Sequence, residues 1–133
     1  MGPMRQLLLL LTCAAAGLYG QDFTGTWEAR VNGTVVCTFK FEGAPLKGTD
    51  LGCYIAVNGQ GELLVPGSRE PYPAKSLTNV QVDGKTLTFQ IDPADEDDPV
   101  IRVEMQQTGD EQAELRFLNF PVPVKPIRFV KRP

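Results

Sequence analysis

The chain has no histidine, one tryptophan, three cysteines and few basic residues. Without histidine, Ser–His and Cys–His nucleophile pairs and histidine-ligated metals are excluded. The 13 Lys+Arg face 16 Asp+Glu, a formal net charge of −3. That balance supplies no basic stripe to hold phosphates, so a nucleic-acid partner is excluded. The apolar run that begins at Leu7 is too short for a membrane span.

What is present begins with a leader. Residues 1–20, "MGPMRQLLLLLTCAAAGLYG", carry one positive charge at Arg5, an apolar run and a string of small residues. This is the pattern of a secretory signal peptide, with cleavage between Ala16 and Gly20. Cys13 also fits a lipid-anchored leader, although Thr12 is an awkward neighbour for that processing. Residues 21–133 then form a single domain, large enough for one core. The mature chain keeps 12 Lys+Arg against 16 Asp+Glu, a formal charge of −4, because Arg5 is the only charge in the leader. A secreted or periplasmic location follows, and with it an oxidising compartment. In such a compartment Cys37 and Cys53 read as one disulfide, with two buried free thiols as the other reading.

Eleven prolines and 13 glycines punctuate short apolar runs. Trp27 and Ala29 alternate with Glu28 and Arg30, and Val35, Cys37, Phe39 and Phe41 with Thr38, Lys40 and Glu42. Each run therefore has one wet face and one dry face. The pattern recurs at Leu51, Cys53, Ile55 and Val57, at Leu63 and Val65, at Val80 and Val82, and at Leu87, Phe89 and Ile91. It continues at Ile101, Val103 and Met105, at Ala113, Leu115 and Phe117, and at Ile127 and Phe129. Parity at the first turn predicts a three-residue loop, Val31-Asn32-Gly33, because this puts Trp27 and Cys37 on one face. Asp83-Gly84 predicts a tight hairpin. The fold class is all-β, a small antiparallel up-and-down β-barrel of 8–9 strands, with a two-sheet β-sandwich as the alternative.

At Gly25-Thr26-Trp27 the chain resembles the calycin superfamily of lipocalins, fatty-acid-binding proteins and avidins, whose first strand opens with Gly-x-Trp. "FTGTW" followed by "LKGTDLGCY" is closest in wording to the avidin-like form. The resemblance implies a barrel closed at one end by Trp27, with Arg128 or Arg132 supplying a cation over the indole. Avidins line their site with several tryptophans, so a chain with Trp27 alone is not expected to bind biotin. The chain is also similar to short exported bacterial proteins of unassigned role that begin Asp-Phe-x-Gly-Thr-Trp.

The expected interior lacks charge and nearly lacks hydroxyls, which suits either a packed core or a cavity for an apolar ligand. The expected function is a non-enzymatic, lipocalin-like binding protein for a small apolar molecule, with Trp27, Phe39, Phe41, Phe89 and Phe117 as ligand-facing residues. Trp27, Arg128, Cys37 and Cys53 are the structural set. The alternative is a structural or protein-interaction module with a filled core, acting through loops that carry Tyr54, Tyr72 and Phe120. No cofactor is implied. The acidic loop "DPADEDDP" offers Asp95, Asp97 and Asp98 as a calcium candidate, though acidic loops are usually only solvated. Its carboxylates are the one catalytic resource, and a glycosidase would need two opposed across a cleft.

Overall fold

A computed structural model describes residues 23–133. The leader, Cys13 and the cleavage positions lie outside the described residues. Nine strands form one antiparallel sheet: β1 (Gly25–Val31), β2 (Thr34–Glu42), β3 (Lys47–Cys53), β6 (Lys75–Ser76), β7 (Thr78–Asp83), β8 (Thr86–Ile91), β9 (Ile101–Gly109), β10 (Gln112–Phe117) and β11 (Ile127–Lys131). Two short strands, β4 (Ala56–Val57) and β5 (Leu63–Leu64), pair only with each other. The sequence pattern extended the main meander through them, and the separate ribbon corrects it.

The sheet runs β6-β3-β2-β1-β11-β10-β9-β8-β7, so the first and last strands are neighbours. One continuous stretch then nearly closes the circuit. Lys75 and Ser76 pair with Asp50 and Thr49, the Leu77 amide donates to the Gly48 carbonyl, and Thr78 pairs with Gln90 across on β8. Counting β6 and β7 as one stave gives an eight-stave up-and-down barrel, an arrangement compatible with a calycin-like fold. Near-closure of this kind leaves little open edge to template aggregation. At the seam there is no room for a side chain on Gly48. A Cβ there would lie 2.7 Å from Phe41 Cε1 and 2.8 Å from Leu77 Cδ1.

The first hairpin differs from its expectation. Val31 pairs directly with Thr34 across a two-residue turn in which Asn32 (φ 51) and Gly33 (φ 81) are both left-handed. The extra residue sits inside β2 instead. Ala29 pairs with Cys37 while Arg30 pairs with Val35, so Val36 is bulged. Trp27 and Cys37 still share a face, but Val36, not Val35, is fully buried. A second bulge, at Leu51 in β3, turns Leu51 outward (43% exposed) and Asp50 inward (1% exposed). The expectation of a charge-free interior is corrected at Asp50. The turn after β7 also falls one residue later than expected, with Asp83 paired to Thr86.

Fully buried aromatic residues fill the barrel. Phe39 stacks on Phe129 at 5.7 Å between centroids and meets Phe89 edge-on at 5.2 Å, while Phe41 lies 5.5 Å from Phe89. Trp27 packs towards the end where β1 begins, tilted against Phe23 at 6.1 Å, and its indole N–H donates to the Phe23 carbonyl at 2.9 Å. The cation over the indole is Lys131, 5.2 Å from the ring centroid, which corrects the expectation of Arg128 or Arg132. Trp27 is the direct cross-strand partner of Lys131. A Cβ at Gly25 would lie 3.2 Å from Lys131 Cδ, so the glycine of Gly-x-Trp leaves space for that lysine stem.

Arg132 serves the outer face instead. Its Nε donates to Glu28 Oε2 at 2.7 Å, a second guanidinium nitrogen makes a close contact to the same oxygen, and Arg30 reaches Glu28 Oε1 at 3.0 Å. Burial opposes ionisation of Glu28. The hydrogen bonds and charges of Arg132 and Arg30 outweigh it and hold the carboxyl below its ordinary value. A depressed folded-state value means stability that is present above the unfolded-state value and lost as pH falls through the folded one. Glu28→Gln is expected to destabilise by about 1–2 kcal/mol at pH 7, between exposed and buried ion pairs, because both arginines are half exposed. Denaturant melts at pH 7 and pH 3 check this, and the penalty should be smaller at pH 3.

Candidate functional site

The barrel's two ends are unlike. At one end Trp27, Phe23 and Lys131 make a plug. At the other lie the end of β3, the end of β8, the start of β9 and the end of β10, and here the core gives way to an open cavity of about 610 Å³. Its wall is largely apolar, from Ile55, Ile91, Ile101, Phe117 and Phe120, with Cys53 of the disulfide among them. Phe117 and Phe120 pack at 4.9 Å. The volume falls within the usual range for small-molecule sites, and an apolar wall with a few converging polar groups is their usual lining.

Those polar groups are Asp50, Tyr72, Lys75 and Asp92. The Leu51 bulge aims Asp50 inward, where the Gly52 amide donates to its Oδ1 at 2.8 Å. The proline-rich segment between β5 and β6 lays Tyr72 over it. The Tyr72 hydroxyl donates to Asp50 Oδ1 and Oδ2 at 3.0 and 3.1 Å, and accepts the Cys53 amide at 2.6 Å. Burial, and after it the negative charge of Asp50, push the Tyr72 phenol up to about 12 against the opposing Cys53 bond. The phenol therefore stays protonated and remains a donor at neutral pH. Tyr54 braces the segment, 5.5 Å from Tyr72, with its hydroxyl donating to the Glu70 carbonyl at 2.9 Å. Lys75 lies 5.3 Å from the Tyr72 centroid and donates to the Asp92 carbonyl at 3.2 Å, while Thr78 Oγ1 donates to Asp92 Oδ1 at 3.1 Å.

The residues expected to face a ligand divide between core and cavity. Phe117 is on the cavity wall, whereas Trp27, Phe39, Phe41 and Phe89 are fully buried among one another and their neighbours. Cys37 and Cys53 are joined as a disulfide. Arg128 stands exposed on the outer face beside Glu28 and Arg132, away from the indole. Asp95, Asp97 and Asp98 do not converge. Asp95 Oδ1 accepts the Asp97 amide at 3.1 Å and so caps its own turn, and among the described residues no group of three or more acidic or cysteine side chains gathers as a metal site. This corrects the calcium candidate.

Period-two alternation across the bulge assigns Asp50 to the wrong face, and Tyr72 stands in the sequence only as a loop aromatic. A lone tyrosine inside "PGSREPYP", separated by glycine and proline from any strand partner, was the available signal. No protein-family model, no curated protein and no solved structure matches the chain, so any functional reading rests on the chemistry of these residues alone.

Proposed function

We propose that the protein is an exported, non-enzymatic, lipocalin-like binding protein that holds a small apolar molecule in the mouth of its barrel. The observation that carries this reading is the 610 Å³ cavity walled by isoleucine and phenylalanine. The Cys37–Cys53 disulfide suits an oxidising compartment outside the cytosol. No helix among the described residues is long and apolar enough to cross a membrane. Asp50 and Asp92 both border the mouth, and each already accepts hydrogen bonds of its own. With no histidine, neither has a proton-transfer partner of the usual kind, which supports binding over hydrolysis.

At about −0.3 kcal/mol per non-hydrogen atom, a ligand of about 24 such atoms binds with a Kd of about 5–10 µM. Native mass spectrometry on protein taken from the cells that make it, before and after denaturing extraction, tests the reading. A co-purifying small mass lost on denaturation is expected. A bare chain that also fails to bind a neutral apolar fluorophore such as Nile red would overturn it.

A protein-interaction module is the second reading. It is favoured by the exposed Val100, Leu118 and Val122 beside the acidic loop and the proline-rich return to β11. A bare chain that pulls down one stoichiometric protein through those residues would move the assignment there.

A further inference from the structure

The charged lining of the cavity has a sign. Two carboxylates and one ammonium border it, and the ammonium of Lys75 is engaged by the Asp92 carbonyl and the face of Tyr72. Asp50 is 1% exposed, and the hydrogen bonds to its carboxylate come from neutral donors, the Tyr72 phenol and the Gly52 amide. Among the described residues the ion pairs fall on Glu28, Glu42, Glu62 and Glu114, and none reaches Asp50 or Asp92. Asp50 is withdrawn from water and makes no ion pair with Lys75, its cross-strand neighbour on β6, so it keeps a negative field that is strongest where the surroundings are apolar. Here that field opens into a wall of Ile55, Ile91, Ile101 and Phe117. Asp92 is exposed and within reach of an incoming group, and the ring of Phe120 on the cavity wall adds the attraction of an aromatic ring for a cation. A ligand with a carboxylate head would instead meet two carboxylates against the single, already engaged ammonium of Lys75.

We propose that the cavity's occupant is a cationic amphiphile, an amine whose ammonium lies between Asp50 and Asp92 while its apolar body rests on the isoleucine and phenylalanine wall. This rests on the binding reading above and names the ligand class for that same site. The ammonium contacts Asp92 directly, and Asp50 acts through its field from behind Tyr72.

Displacement of Nile red by dodecylamine, dodecanol and dodecanoate, each below its micelle concentration at pH 7 and low salt, tests the assignment. Dodecylamine is expected to displace the dye at about tenfold lower concentration than dodecanol, with dodecanoate weakest, as a charge-assisted contact adds to a shared apolar body. Asp92→Asn and Asp50→Asn should each cut the amine's advantage over dodecanol by about threefold or more. Sodium chloride at about 0.5 M should shrink the same advantage, because the Asp92 contact is open to solvent. If Asp50→Asn fails to fold by circular dichroism, Asp92→Asn and the salt series carry the test. Equal potency of amine and alcohol, a preference for dodecanoate, or an amine advantage untouched by Asp92→Asn and by salt overturns the cationic head and leaves the apolar cavity standing. Nile red that never binds overturns both.

Discussion

Replacing Trp27 with alanine is expected to cost about 3–5 kcal/mol, a large part of the total stability of a domain this size. The indole is fully buried, donates its N–H to the Phe23 carbonyl, and plugs the end of the barrel where β1 begins. Its removal leaves a cavity bounded by a β-sheet wall that cannot collapse, and strands the Phe23 carbonyl. The midpoint of thermal unfolding should fall by more than about 10 °C. Lys131→Ala is the control. It removes the cation over the ring and leaves the ring in place, so its cost should stay near about 0.5–1 kcal/mol. Comparable losses in the two variants would mean that Trp27 contributes through the lysine and not through its packing.

Opening the Cys37–Cys53 disulfide is the second large effect. The bridge spans 16 residues, and restoring that loop's freedom to the unfolded chain costs about 3 kcal/mol. Cys37→Ala with Cys53→Ala, or reduction of the wild-type protein, should lower the unfolding free energy extrapolated from denaturant melts by a similar amount. Cys53 borders the cavity and its amide holds the Tyr72 hydroxyl, so the double variant should also weaken binding of a neutral fluorophore. Full stability without the bridge would contradict the account of β2 and β3 as covalently tied staves.

The barrel was legible because its alternation is strong. Phe39 and Phe41, Leu87 and Phe89, Val103 and Met105, and Ala113 and Leu115 all point inward at period two, and each lies on a strand that pairs with its sequence neighbour. Cys37 and Cys53, read as a disulfide from the compartment, stand directly opposite each other on two such strands. The site was not legible, and the cause is local. Each bulge adds one residue and reverses the faces beyond it, so Val36 displaced Val35, and Asp50 turned inward in a segment where Leu51 looked like the core residue. Gly52, with φ 137 beside the bulge, is the one local signal of it in "LKGTDLGCY". The Lys131 contact, by contrast, was available from parity, since Ile127, Phe129 and Lys131 alternate on the inward face while Arg128 falls on the outward one. The resemblance to Gly-x-Trp barrels drew attention to arginine instead. The cavity depends on where the segment carrying Tyr72 lies, and no periodic pattern encodes that placement.

The central claim is that the mouth of the barrel, and not its aromatic interior, receives an apolar molecule. The most direct test is a nitrogen–proton NMR titration of the folded protein with a neutral apolar ligand such as Nile red. The account predicts saturable shifts at the amides of Cys53, Tyr72, Ile101 and Phe117, with the Trp27 indole N–H unmoved at the far end. Shifts centred on the Trp27 indole, or on Val100, Leu118 and Val122 with the mouth silent, would contradict it.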